Sequence, residues 1–515
     1  MLIPEIVFTD NMVLQRDKNI RVFGKGDDGA KIKVILRRNH KKSVSKTVVS
    51  EGKWEVVLPK ENATMPDEKC TLTITDGKDV LEYENVVIGE VWFAGGQSNM
   101  EFELQNATGG KKILKKPLED DDVRKNLRFF YTPKVSILDD EYEGLMRQSS
   151  WQTFSKDNAK AWSAVGFYFG VKLIKELGVT VGIIGCNWGG TQAKSWMSRE
   201  ALLSRESTKC FVDEYDNSEA HQKSEEEQIK DYKDYLKYQE EWDKKAFKIY
   251  EKDPFISWED IQKEVGPNQF PGPLNCACFS RPYGLYETMV RRITPYTLAG
   301  VIYYQGESDE GKPELYYDLQ TELIECWRKD FKDEELPFIM TLLPMHRYKH
   351  DPDTKSWCII REAQMKVYKT VKNTGIAVII DCGEFHQIHP PKKNKVGKRL
   401  ALQALNLKYN FISEEEAFGP VYRDFILKKG GMELHFDYAD GGFTVNGKED
   451  LGFEIAGNDG VFEKATAKFK GNTVFLKSKK VKDPVMARYL WSNYQEVYVF
   501  GANKLPMAPF RTHEF

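Results

Sequence analysis

VWFAGGQSNM, Val91–Met100, is the stretch on which the reading of this chain turns. An apolar run suited to a buried strand ends in two glycines, and a serine then stands between Gln97 and Asn99. Gly, Ser and Asn are turn residues, so a tight turn accounts for the stretch. A nucleophilic serine displayed at the carboxyl end of a strand accounts for it equally well. The stretch by itself is compatible with both.

Outward from it, the chain alternates apolar strands with amphipathic helices. EVWFAGG, VTVGIIG, LAGVIYY, PFIMTLL and GIAVIID read as buried strands. Between them lie helical patterns. AVGFYFGVKLIKEL places Val165, Phe167, Tyr168, Val171, Ile174 and Leu177 along one side, and KVGKRLALQAL does the same with Val396, Leu400, Ala401, Ala404 and Leu405. ELYYDLQTELIECW and REAQMKVYKTVK are two further helices. Such alternation predicts an α/β fold, a parallel sheet with helices on both faces.

Residues 1–88 follow another pattern. IRVFG, AKIKVILRR, KWEVVLP, CTLTITDG and LEYENVVIG are short, β-rich and separated by turn residues, which predicts an N-terminal β-sandwich domain. Strand-like segments return over 413–515, a C-terminal β domain, leaving 89–412 as the α/β domain. Within it, residues 201–268 interrupt the alternation with a charged helix carrying Tyr232, Tyr235, Leu236, Trp242, Phe247 and Tyr250. This insertion is either an amphipathic helix packed on the domain or a lid or aromatic wall beside the site.

The bulk properties exclude some classes. A chain of 515 residues exceeds one core. With 41% hydrophobic and 30% charged residues it is an ordinary globular protein. A net charge of −3 argues against a nucleic-acid or membrane-surface partner held by bulk charge. No apolar run reaches membrane-spanning length, and the first residues lack the pattern of a secretory signal, so a cytoplasmic location is expected. The 8 cysteines are scattered; Cys276 and Cys278 are the closest pair, and buried thiols are expected rather than a metal site. Neither metal nor organic cofactor is expected.

Polar loops follow the strands: GGQSNM, NWGGTQ, QGESD and DCGEFHQIHPP. Sites in open parallel sheets form at the carboxyl ends of strands. Together the loops carry the parts of an acyl-transfer site. Ser98 offers a nucleophile and its N–H, Gly190 an N–H with no side chain in the way, Gln305 an amide donor, and His389 a base. Gln97, Asn99 and Glu307 are the expected substrate contacts. The alternative for Gln305 and Glu307 is a buried polar network.

These motifs, with MVLQRD, GGTQAKSW, RPYGLYETMVRRITPYTLAGVIYYQGESD, REAQ, IHPPKKNKVGKRLA and the closing RYLWSNYQEVYVFGANKLPMAPFRT, resemble the sialate O-acetylesterase-like branch of the SGNH hydrolases. The resemblance spans most of the chain outside the charged insertion. It implies a carbohydrate O-acetylesterase on a flavodoxin-like three-layer α/β/α core with attached β domains. It also implies Ser98 as nucleophile, His389 as base, and Ser98 N–H, Gly190 and Gln305 as the oxyanion hole, with Gly189 in place of Gly190 if the glycine register is off by one. SGNH enzymes often carry an Asp two or three residues before the histidine, where this chain has Gln387 and His386. Asp381, Glu384 or a backbone carbonyl remains to orient His389. Acetylated xylo- or manno-oligosaccharides and sialic acids stay open as substrates. The alternatives are another small acetyl ester, or a non-catalytic carbohydrate-binding protein on this scaffold. A homo-oligomer is left open as well.

Overall fold

The structure, a computed structural model, describes every residue except 66, 67, 69, 117–120, 254, 255, 257, 349–351, 448, 449, 514 and 515. Residue contacts divide the chain into two compact units, Met1–Ser308 with Asp318–Phe338, and Asp309–Tyr317 with Ile339–Phe515. The fold is mixed α/β with additional β sheets.

In the first unit, Leu2–Pro4, Ile20–Gly26 and Lys53–Leu58 form one antiparallel sheet. Lys31–Arg38 pairs with Lys41–Val48 and with Cys70–Thr75 in a second. The second sheet runs into the central one through a single strand, Val80–Gly96. Its first residues, VLEYEN, alternate between exposed and partly buried, and from Val86 every residue is buried. The change of pattern near Ile88 therefore falls inside one unbroken strand rather than at a break between elements.

The second half of that strand lies between Val181–Asn187 and Gly300–Tyr304, parallel to both. Leu127–Tyr131 extends the parallel run beyond Val181–Asn187. The sheet as a whole is mixed, because Gln152–Thr153 adds an antiparallel edge and the long strand continues into antiparallel pairing. Leu127–Tyr131 is the parallel strand that the sequence pattern did not reveal.

The helix Ala164–Leu177 begins at Ser163, whose hydroxyl accepts the Gly166 N–H at 3.0 Å, and stops at Gly178 in the left-handed region. Its buried face matches the expected one in part: Val165, Phe167 and Ile174 are buried, but so are Gly166, Phe169, Gly170 and Leu173, whereas Tyr168, Val171 and Leu177 are half-buried. The glycines explain the additional buried positions. A Cβ at Gly170 would stand 2.4 Å from Leu127 Cδ1, and one at Gly166 3.0 Å from Phe129. The helix turns its smallest residues to the sheet and so packs close to Leu127–Tyr131.

The second unit holds the strands Phe338–Leu342 (from Ile339) and Thr374–Val378, with the helices Ser356–Thr370 and Lys393–Leu407. Val396, Leu400, Ala401, Ala404 and Leu405 are all buried, as their spacing requires. Past these come antiparallel β elements, including Val421–Lys428, Gly431–Asp437, Thr473–Lys477 and Thr466–Lys470 in one sheet. Six of the cysteines are buried, and Cys210 and Cys276 partly so.

Candidate active site

Strand register builds the serine's surroundings. Gly96 pairs with Asn187 on one side and with Tyr304 on the other. Three strands thus end at one level, and the loops that follow, Gln97–Met100, Trp188–Thr191 and Gln305–Ser308, leave the sheet side by side. Gly96 makes the exit possible. Its φ is +135°, and a Cβ there would stand 2.1 Å from the Tyr304 carbonyl oxygen. Gly96→Ala is expected to cost about 2–3 kcal/mol or more, from backbone strain and a clash with a neighbouring strand. Chemical denaturation beside the wild type measures it, and a loss under about 0.5 kcal/mol would contradict the clash.

Ser98 opens a one-turn helix, Ser98–Glu101, after Gln97. It is the only residue of Val91–Met100 that is not buried. Beneath it lies a polar network. Gln97, Asn99, Gln305 and Glu307 are 3%, 0%, 1% and 4% exposed. Asn99 Nδ2 donates to Glu307 Oε1 at 2.6 Å. Gln305 Nε2 donates to Gln97 Oε1 at 3.3 Å and to the Thr191 carbonyl at 3.1 Å. The Ser308 N–H also donates to Gln97 Oε1, and Gln192 Nε2 donates to the Ser308 carbonyl. The network joins the three loops. Gln97, Asn99 and Glu307, expected as substrate contacts, are buried cross-links below the serine. Gln305→Ala removes the donor to two buried acceptors and is expected to cost about 1–3 kcal/mol. A melting temperature equal to wild type would show that the network carries no stability.

The glycine loop approaches the serine from the other side. A Cβ at Gly189 would stand 3.1 Å from Ser98 Cβ. The Gly189 N–H donates to Glu101 Oε2 at 2.9 Å, and Glu101 also pairs with Lys134. Gly190 has φ +75°, and a Cβ on it would stand 2.9 Å from a ring atom of Phe270. The Gly189 amide is thus engaged with a carboxylate, which favours Gly190 of the two for the oxyanion. Glu101 and Phe270 were not singled out from the sequence. Glu101 carried a weak signal, a carboxylate three residues after the serine; Phe270, set in NQFPGP, carried none.

His389, Asp381 and Glu384 belong to the second unit. His389 is half-buried, and its backbone N–H donates to Gln387 Oε1 at 3.2 Å. The Asp381 carboxylate is gripped by Arg399, with Nη2 donating at 2.9 Å, and by Lys395 at 3.1 Å. Burial pushes the Asp381 carboxyl up, but its hydrogen bonds and charge pairing with Arg399 and Lys395 outweigh this and hold it below the ordinary range. Glu384 pairs with Lys392 at 3.2 Å. Each carboxylate is thus engaged with a cation. At Gly383 no left-handed bend occurs; a Cβ there would stand 1.9 Å from the Met345 carbonyl oxygen, so the glycine serves a close approach.

The chain is similar to known carbohydrate esterases. Residues 274–406 match a family described as carbohydrate esterase, sialic acid-specific acetylesterase. The sialate O-acetylesterase of Mus musculus is 27% identical over 481 residues, which cover 87% of this chain and 81% of that protein. The Homo sapiens sialate O-acetylesterase is 24% identical over 430 residues, covering 78% and 70%. Among solved structures, a carbohydrate acetylesterase from Xanthomonas citri matches with a TM-score of 0.75 and 26% identity, covering 100% of both chains. A domain match, similarity along most of the chain and a shared fold together make this chain similar to the sialate O-acetylesterases and support a carbohydrate esterase enzyme.

Proposed function

We propose that the chain is a serine esterase that removes O-acetyl groups from carbohydrates through Ser98 and His389, on an SGNH-type, flavodoxin-like core. Residues 89–412 form the catalytic domain in this reading, between β domains over 1–88 and 413–515. The observation that carries it is the exposure of Ser98 alone in an otherwise buried stretch, on a loop that a buried network braces.

Ser98 Oγ attacks the acetyl carbonyl while His389 takes its proton. The tetrahedral oxyanion is held by the Ser98 and Gly190 N–H groups. Gln305 joins them by releasing its longer hydrogen bond, the one to Gln97. The intermediate collapses to an acetyl-enzyme, and the sugar alcohol leaves with the proton that His389 returns. Water, deprotonated by His389, then releases acetate and restores the serine. Gln97, Asn99 and Glu307 act by fixing the loop on which Ser98 stands. The commitments of Asp381 and Glu384 to cations favour a Ser–His dyad, with a backbone carbonyl orienting the imidazole.

Acetate release measured across acetylated xylo-, manno- and sialo-substrates, beside a simple aryl acetate, tests the reading. Turnover of a saccharide above the aryl ester supports it. Turnover of the aryl ester alone points to another small ester, and no turnover of any, with saccharide binding retained, points to a binding protein.

A further inference from the structure

The insertion over 201–268 has no part in the chemistry above, yet its contacts converge on the segment that carries Phe270 against the serine's glycine loop. The long helix Glu225–Tyr250 starts at a capping box formed by Ser224 and Glu227. Its inward side chains hold residues 266–279 at successive points. Trp242 Nε1 donates to the Gly266 carbonyl at 2.9 Å, and the Tyr238 hydroxyl to the Pro267 carbonyl at 2.7 Å. Tyr235 lies against Gly272, where a Cβ would come within 2.6 Å of its ring. The Gln228 side chain accepts the Cys276 N–H at 2.8 Å, and its backbone carbonyl accepts from Asn275 Nδ2 at 2.9 Å. The Tyr232 hydroxyl accepts the Phe279 N–H at 3.3 Å.

What this clamp presents is Phe270. Phe270 is 50% exposed, its ring rests on Gly190, and it is the outermost of a row of aromatic rings. Phe270 and Phe279 have centroids 5.9 Å apart, and Phe279 stacks on Trp188 at 5.2 Å and 26°. A large apolar ring left half in water, fixed from behind and set beside a nucleophile's loop, is the form of a ligand-contacting surface. The C–H face of a pyranose ring matches a flat aromatic face, whereas the acetyl group is too small to cover one. We propose that the insertion is a specificity device: it holds Phe270 beside Gly190 as the stacking face for the sugar ring whose acetyl group is removed. The proposal rests on the serine esterase reading above. Gln228 and Tyr232 are positioning residues within it.

The test compares kcat/KM for an acetylated xylo-oligosaccharide, or whichever acetylated saccharide the wild type turns over, with kcat/KM for a small aryl acetate. Phe270→Leu keeps an apolar side chain and removes the flat face. The ratio of the two values is expected to fall about tenfold, through KM for the saccharide, with Phe270→Trp restoring it. Gln228→Ala, checked for folding by circular dichroism, is expected to lower the ratio about threefold by loosening the clamp. A ratio unchanged in Phe270→Leu overturns the proposal. So does an equal loss on both esters, since Phe270 then acts on the Gly190 amide and not on the sugar. A fall in Phe270→Leu with none in Gln228→Ala removes the insertion's role. Failure of the underlying reading looks different: Ser98→Ala would then still release acetate from both esters.

Discussion

Ser98→Ala abolishes acetate release, with kcat expected to fall about 10⁴-fold or more, while the melting temperature hardly moves. The size of the loss follows from removing the atom that forms the acyl-enzyme; the residual rate is what the oxyanion donors and binding supply without it. The small change in stability follows from position. Ser98 is the partly exposed residue of its stretch and begins a helix, and alanine is a better helix former than serine. Exposed substitutions of this kind usually stay within about 0.5 kcal/mol. Steady-state kinetics with one acetyl ester and a thermal melt on the same preparation suffice. Near-wild-type turnover in the variant would falsify the assignment of the nucleophile. A collapse of both activity and melting temperature would instead make Ser98 a structural residue.

His389→Ala is expected to lose activity almost as completely, and the two carboxylate variants beside it separate orientation from folding. Glu384→Gln breaks a half-exposed pair with Lys392, so both activity and stability are expected to stay close to wild type. Asp381→Asn leaves the buried Arg399 without its carboxylate, and a loss of about 3–5 kcal/mol of stability is expected from breaking a buried pair on one side. Its kcat on protein kept folded at low temperature should remain within a few fold of wild type. The same pair gives a pH dependence. Asp381 titrates lower folded than unfolded, so its stabilisation is present above the ordinary carboxylate range and is lost as pH falls through the lowered folded value. Asp381→Asn should flatten that acid limb of the stability curve. A heavy loss of kcat in Glu384→Gln at an unchanged melting temperature would replace the dyad with a triad.

Much of the architecture was legible because hydrophobic period and turn chemistry are local properties. VTVGIIG and LAGVIYY had to be buried strands, and Val396 to Leu405 had to face a core. The elements that escaped notice had weak local signals. Leu127–Tyr131 is a short apolar run whose place in the sheet comes from its neighbours, and the inner face of Ala164–Leu177 is set by glycines that no hydrophobic count registers.

The site divides along the same line. The sequence alone determined which residue types were available for acyl transfer, a serine after Gly-Gly, a glycine pair, a glutamine and a histidine, because functional groups are carried by the residues themselves. Only the tertiary structure decided what each one touches. Pairing of Asn187 and Tyr304 with Gly96 brings three loops to one level, and that register depends on strands distant in the chain. It buries Gln97, Asn99, Gln305 and Glu307 as cross-links and leaves Ser98 partly exposed. It gives the Gly189 amide to Glu101 and sets Phe270 on Gly190. Burial and hydrogen-bond partnership are properties of pairs of residues, and a linear sequence records pairs only when they are near neighbours along the chain.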